Sequence, residues 1–290
     1  MAKKNAYGSN SHKTNRNNYQ RNVYATRPAP ASKHQTRNIV LAILVVLVVA
    51  VAVALFFVLS RSGGSSNGSS SAQRLTSAQS GDLLDTVQPI VISSEGVGVR
   101  NQDAPGVILY FDYSCHACAQ IDDLVFDLLI EDVEDGKYNL LLQPVSTVNM
   151  NYHPVATKAA LLVAQYDPQN FVEFHGLLMA YFWEAYQAND GSVVGDSDKS
   201  LEAVKDMAEQ VGISQEIIDL FDSTGAVDYL STATDNWTSD TEAGIIEGRG
   251  MRNATPEIVV NNVSIRFSGT SGSEIHENLL ESLRDAGVDM

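Results

Sequence analysis

Three observations predict an α/β fold carrying an all-helical insertion and preceded by a single transmembrane helix. Apolar, β-branched runs of strand length alternate with runs of helical spacing around residues 107–131. A long helical pattern, residues 153–248, then separates these early elements from a late pair of strands. Ahead of everything lies Ile39–Leu59, 21 residues without a charged or polar side chain.

The N-terminal 38 residues hold eight basic side chains (Lys3, Lys4, Lys13, Arg16, Arg21, Arg27, Lys33, Arg37) and no acidic one. Rich in Asn, Ser, Tyr and Arg, they read as a disordered basic tail. A topology-setting flank accounts for that charge more simply than a nucleic-acid or lipid site, so no nucleic-acid partner is expected. The net charge of the whole chain is −16. Beyond residue 60 the remaining 11 basic residues face all 35 acidic ones, leaving −24 there.

Residues 39–60 predict the transmembrane helix. At about 1.5 Å per residue the apolar run spans a hydrocarbon core of about 30 Å. A cleaved signal peptide has an apolar region of only about 7–15 residues, so a retained anchor is the better reading. The basic flank places the N-terminus in the cytoplasm and the acidic part outside the cell membrane. Residues 61–85, beginning Arg61-Ser-Gly-Gly-Ser-Ser-Asn-Gly, are a flexible linker and lead-in. They end in a short helix, Ala78 to Val87, capped near Ser77 or Ser80. The folded domain is expected over residues 86–290.

Pro89–Ser93 predicts a first strand, and the turn-rich Glu95–Gly106 leads to a central one, Val107–Tyr113. The latter is nearly continuous in apolar and aromatic residues, as in a strand buried on both faces. Ser114 is the candidate cap of a helix from 115 to about 131, on which Ile121, Leu124, Val125, Leu128 and Leu129 share the apolar face. Lys137–Val145 returns as a strand, stopped by Pro144. Helices are then expected over Pro154–Gln165, Pro168–Gln187, Ser200–Val211 (with Gly212 as stop), Ser214–Phe221 and Val227–Ile246. The stripe Phe171, Phe174, Leu178, Phe182 and Tyr186 is expected to pack as core. Pro256–Val260 and Val263–Phe267 form a hairpin about Asn261-Asn262. Gly272–Arg284, bearing Ile275, Leu279, Leu280 and Leu283, is a closing amphipathic helix.

The chemistry concentrates at Cys115 and Cys118, the only two cysteines in 290 residues. A C-x-x-C at the junction of a strand and a helix suits thiol–disulfide exchange. In the first turn of a helix, free N–H groups and the positive dipole end favour a thiolate at Cys115. Three residues on, Cys118 can resolve a mixed disulfide. A structural disulfide and a Cu(I) site with His116 as third ligand are the alternatives. A four-cysteine zinc site is excluded within one chain. Attached haem would need His after the second cysteine, where Ala119 stands. No cofactor and no resident metal are expected. Asp112, just before the motif, is a candidate proton relay to Cys118, or else a solvated or capping carboxylate. His153, His175 and His276 read as ordinary helix residues. Asn-x-Ser/Thr sequons occur at Asn236, Asn253 and Asn262.

The motifs Phe111-Asp-Tyr-Ser-Cys-His-Ala-Cys118 and Ala254-Thr-Pro-Glu-Ile-Val-Val-Asn-Asn262 resemble those of the DsbA-like family of extracytoplasmic thiol–disulfide oxidoreductases, over about residues 86–286. The resemblance implies a thioredoxin-like fold and a Cys115–Cys118 redox pair that forms disulfides in exported cysteine-containing proteins. It also implies a membrane redox partner. Reduction, isomerisation or copper delivery are the alternatives within that resemblance. It implies further that the Thr255-Pro256 bond is cis and lies beside Cys115. His116-Ala117 departs from the Pro-His of the family's strong oxidases, so its oxidising strength does not carry over. Glu257 also departs, because small or hydroxyl residues are commoner there. Asp112, His116, Ala117, Thr255 and Pro256 are the residues expected to tune the site.

Overall fold

The computed structural model describes residues 82–148, 150–242, 246–247 and 254–290. The basic tail, the expected transmembrane helix, most of the linker and Asn253 lie outside them. Among the described residues no helix is long and apolar enough to cross a membrane.

The first element among the described residues is a single helical turn, α1 (Leu83–Thr86), in which Leu84 N donates to the Asp82 carboxylate and Leu83 N to Gln165 Oε1. The expected cap at Ser77 or Ser80 lies outside the described residues. Next come β1 (Ile90–Ser93), β2 (Gly96–Val97), β3 (Gly106–Phe111), α2 (His116–Glu134) and β4 (Asn139–Pro144). The helical insertion holds α3 (Tyr152–Tyr166), α4 (Phe171–Ala188), α5 (Ser197–Val211), α6 (Gln215–Ile218) and α7 (Ala226–Glu242). The chain ends with β5 (Glu257–Val260), β6 (Val263–Ile265) and α8 (Gly272–Asp285).

The six strands form one sheet in the order β2-β1-β4-β3-β5-β6. Only β3 and β4 run parallel, joined by α2. A parallel pair needs a crossover of this kind, which is why a helix must follow the central strand. The core strands are almost wholly apolar: Val107, Leu109 and Phe111 of β3 and Leu140 and Leu142 of β4 are buried. In the antiparallel β3–β5 pair, Tyr110 faces Glu257. That register puts Thr255-Pro256 just past the C-terminal end of β3, level with the residues that enter α2. The β5–β6 turn uses Asn261 and Asn262, both with positive φ (47° and 65°), a backbone that Asn tolerates better than other side-chain-bearing residues.

Several boundaries differ from expectation for physical reasons. β3 stops at Phe111, because the Asp112 side chain and carbonyl turn the chain (below). The strand β2 sits within what reads as turn. The helix expected from Pro168 begins as a 3-10 turn, Pro168–Asn170, before α4. Ser214–Phe221 yields only the four residues of α6. On α2 the buried stripe is Cys118, Val125, Phe126, Leu129 and Val133, whereas Leu124 is exposed. The start of α8 crosses α2 closely there: a Cβ at Gly272 would meet Leu124 O at 2.2 Å, so glycine is required. A buried carboxylate ties the same two helices. Asp132 of α2 accepts from Lys137 Nζ at 2.5 Å and pairs with His276 Nε2 of α8 at 2.6 Å. His276 is thus a cross-element contact rather than a plain helix residue.

Candidate active site

Cys115 and Cys118 are unbonded thiols, buried at the C-terminal edge of the sheet. Cys115, not Ser114, is the N-cap of α2: its backbone is extended (φ −92°, ψ 116°) and its carbonyl accepts from Ala119 N. The cause is Asp112. Its Oδ1 accepts from Ser114 N at 2.7 Å and its carbonyl accepts from Cys115 N at 3.0 Å, so the turn closes one residue later than a Ser114 cap would. Ser114 Oγ, in consequence, is buried without a hydrogen-bond partner among the described residues.

The two sulfurs differ sharply. The Cys115 thiol is pulled down to about 6, chiefly by the hydrogen bond it takes from the Cys118 thiol. Burial opposes this, and the Thr255 side chain and the backbone N–H groups of Cys118 and Ala117 add to it. Those N–H groups belong to the first turn of α2, where a helix favours an anion. Cys118 is pushed well above the ordinary thiol range, first by burial, then by its role as donor to Cys115 and by the negative charge there. The pair therefore holds one proton, on the inner sulfur.

The Thr255-Pro256 bond is cis, and the Cys115 sulfur lies 3.5 Å from Thr255 O. Thr255 Oγ1 is 2.7 Å from Thr147 Oγ1, and Thr147 Oγ1 is 3.2 Å from Asp112 Oδ2. Asp112 Oδ2 also accepts from Thr147 N and Val148 N, both at 2.8 Å. Asp112 is fully buried and meets three backbone N–H groups and a hydroxyl. This is a capping carboxylate that fastens the β3–α2 turn to the loop after β4; it is not solvated. The sequence pointed to Asp112 and Thr255 but missed Thr147 between them. The available signal was topological: loops at the C-terminal ends of adjacent parallel strands meet.

The remaining residues sort as follows. Ala117 is half-buried and contributes its N–H to Cys115. His116 is exposed, and its ring stacks on Tyr186 of α4 (centroids 4.6 Å apart, planes 11°). Tyr186 is half-exposed, so the expected core stripe ends at Phe182 and its last member reaches the active-site rim. Glu257 is buried and accepts from Trp237 Nε1 at 2.8 Å and Ser264 Oγ at 2.6 Å.

Two histidines are more than helix residues. His153 Nδ1 accepts from Tyr113 N at 3.1 Å, leaving Nε2–H to donate to Val145 O at 3.1 Å. Burial pushes its pKa down, so the neutral ring ties the chain after β3 to the end of β4. Tyr113 OH lies 2.8 Å from His175 Nδ1, whose Nε2 is 3.2 Å from Asp122 Oδ1. Burial raises Asp122 and holds Tyr113 as the phenol. Asp122 stands four residues after Cys118, on the same side of α2, and both line a small interior cavity.

A parallel strand running into a dithiol helix, faced by a cis-proline loop, defines a protein of thioredoxin-like fold. A family model described as thioredoxin matches residues 95–268, over half of the chain, and the chain belongs to that family. Comparison with curated proteins gives no match. Among solved structures, the chain is similar to the MdbA protein, a thiol-disulfide oxidoreductase from Actinomyces oris: 20% identity, 64% of this chain and 83% of that one, TM-score 0.48. It is similar also to MdbA from Corynebacterium diphtheriae (18%, 70% and 100%, TM-score 0.48). Oxidised BdbD from Bacillus subtilis gives 18%, 69% and 92%, with a TM-score of 0.48.

Proposed function

We propose that this chain is a membrane-anchored, extracytoplasmic thiol–disulfide oxidoreductase that forms disulfides in exported proteins. The observation that carries the reading is the unequal pair of sulfurs: Cys115 pulled down to about 6 beside Cys118 held as a thiol. Lowering one thiol of a dithiol stabilises the reduced form, which makes the corresponding disulfide a stronger oxidant.

A substrate thiolate attacks Cys115 of the Cys115–Cys118 disulfide. A bond forms between substrate sulfur and Cys115, the Cys115–Cys118 bond breaks, and Cys118 leaves and takes a proton. A second substrate thiolate then attacks the substrate sulfur of the mixed disulfide. Cys115 leaves as a thiolate, a good leaving group because its pKa is low. The substrate loses two electrons and two protons; one proton ends on Cys118 and one in solvent. The reverse escape needs the Cys118 thiolate, which burial disfavours, so the asymmetry favours oxidation over reduction. A membrane redox partner then takes the two electrons.

Thr255 and Pro256 wall the site, Thr147 and Asp112 hold that wall to the start of α2, and Ala117 supplies an N–H. Ile39–Leu59 is the single-pass anchor, residues 1–38 lie in the cytoplasm, and residues 86–290 form the exported domain with its helical insertion. The reading is tested by equilibrating the chain in glutathione buffers and alkylating the free thiols. A potential of about −120 to −180 mV supports disulfide donation. A value of about −230 to −270 mV makes the protein a reductase. Absence of any exchange overturns the enzyme.

A further inference from the structure

The last long helix of the insertion, α7, buries Tyr229, Ala233 and Trp237 along one face, at helical spacing. At about 1.5 Å per residue that face is about 12 Å long, a little more than the two strand spacings, about 4.8 Å each, from β4 across β3 to β5. One helix therefore reaches three parts of the sheet. Near its start, Tyr229 OH accepts from Gln143 Nε2 of β4 at 2.9 Å and donates to Gln88 O at 3.1 Å. Further along, Thr234 Oγ1 accepts from Ser146 N, in the loop after β4, at 2.8 Å, and donates to Leu230 O at 2.6 Å. Further still, the buried Trp237 ring stacks on Tyr110 of β3, with centroids 5.3 Å apart and planes at 21°. Its Nε1–H donates to Glu257 Oε2 of β5 at 2.8 Å.

The last two contacts bracket the wall of the active site. Ser146 precedes Thr147, and Glu257 follows Thr255-Pro256. Between them stands the hydroxyl pair of Thr147 and Thr255, 2.7 Å apart. β3 lies between β4 and β5 and ends at Phe111, so past its end the sheet ladder does not join the two loops. We propose that α7 fixes the width of that gap, and that Thr234 and Trp237 are positioning residues for Cys115, acting through the Thr147–Thr255 hydroxyl pair. The inference rests on the redox reading above. It also accounts for Glu257, which departs from the small or hydroxyl residues of the resemblance. A buried carboxylate persists where donors meet it, and the Trp237 indole N–H and Ser264 Oγ are such donors. Without the indole N–H the carboxylate is left a donor short; without the Thr234 hydroxyl the Ser146 N–H loses its acceptor. Either loss is costly at a buried or half-buried site and lets one half of the wall shift. The Thr255 side chain is among the groups that lower Cys115, so a shifted wall leaves the thiolate less favoured. The helical insertion thus reaches the reacting sulfur through the wall it braces.

The test uses the full-length chain with both cysteines reduced. Alkylation by iodoacetamide is timed at about pH 5 and about pH 9, on either side of the Cys115 transition, and tandem mass spectrometry locates the adduct on Cys115. The ratio of the two rates is taken within each variant, so a change in access common to both cancels. Trp237→Phe, which keeps a ring against Tyr110, and Thr234→Val are each expected to lower the ratio about twofold, since below its midpoint the ionised fraction of a thiol scales with its acidity. Tyr229→Phe, cut at the other end of the same helix, is expected to lower the urea midpoint and leave the ratio at the wild-type value. In a Thr255→Val chain neither α7 substitution is expected to change the ratio further, because the group they position is gone. A ratio at or above wild type in Trp237→Phe or in Thr234→Val overturns the positioning role, whatever the urea midpoint does, and leaves the redox reading intact. A twofold fall in Tyr229→Phe also overturns it, since general loosening would then be the cause. So does a full effect of Trp237→Phe in the Thr255→Val chain. A wild-type Cys115 that alkylates only in the ordinary thiol range overturns the redox reading itself, and the positioning role with it.

Discussion

The two sides of the dithiol are built from opposite materials. On the outer side, Cys115 meets Thr255, itself held by Thr147, and the N–H groups that open α2, which favour a charge. On the inner side, Cys118 lies against Leu109, Phe111, Val125 and Pro256 around a small cavity, where a charge is penalised. Three residues on one helix thus separate an anion site from an apolar one. The difference teaches that the C-x-x-C spacing supplies the hydrogen bond between the sulfurs, the largest cause of the drop at Cys115, while the surroundings of each sulfur decide which of them keeps the proton.

The largest test removes one side at a time. Cys115→Ser is expected to abolish thiol exchange, since the remaining thiol is buried and protonated. Cys118→Ser is expected to keep a reactive Cys115 and to accumulate mixed disulfides, visible on non-reducing gels. If both single variants exchange at the wild-type rate, the comparison collapses.

The next test reaches the polar chain below the inner sulfur. His175→Leu strips Tyr113 OH and Asp122 of their shared partner. Leaving buried polar groups unpaired costs about 2–4 kcal/mol, read as a shift of the urea midpoint in a chain with both cysteines reduced. A midpoint unchanged from wild type would mean that Tyr113 and Asp122 find water instead.

How far the sequence reveals this asymmetry follows from how local each cause is. The strand–dithiol–helix order was legible, because apolar runs and helical periodicity are local signals, and so was the Asn-Asn hairpin. The site's electrostatics were legible only in part. Placing Cys115 in the first turn foresaw the N–H groups, but Ser114 looked the better cap because capping statistics ignore Asp112, which wins by bonding Ser114 N itself. Thr147 and His175 were out of reach: they meet Asp112 and Tyr113 across 35 and 62 residues of chain, and single-sequence periodicity carries no such pairing. The stripe on α4 was read as core for a similar reason. Four of its five members are buried, and only the packing of α4 against α2 shows that Tyr186 overhangs His116.

A pH series sharpens the comparison with two opposite signs. Alkylation of the reduced chain by iodoacetamide should rise with a midpoint of about 6, the Cys115 transition. Because that thiol is lower in the folded chain than its unfolded value of about 8.5, the unfolded chain binds more protons between the two values. Stability of the reduced form should therefore rise from pH 6 to about 8.5. It is lost again as pH falls through 6. Cys118 has the opposite shift, so above about pH 8.5 the unfolded chain sheds a proton that the folded chain keeps, and stability should fall. Thermal melts of reduced minus oxidised protein isolate both effects, since the disulfide form has neither thiol. A difference that is flat from pH 6 to 8.5 would remove the outer anion site.

The smallest effect concerns the wall that both sulfurs share. Thr255 lowers both Cys115 and Cys118. Its hydroxyl is held by Thr147, whose own partner is the Asp112 carboxylate. Thr255→Ala should raise the alkylation midpoint by less than about one unit, since one hydrogen bond to a charged group is worth about 1.5–3 kcal/mol before the loss is shared with solvent. Thr147→Val should move it the same way by less, because it frees the Thr255 hydroxyl without deleting it. If Thr147→Val shifts the midpoint more than Thr255→Ala does, the loop after β4 acts on Cys115 through Asp112 and the turn it caps. The outer side would then owe its charge preference to the position of the helix start, with Thr255 reduced to a spectator.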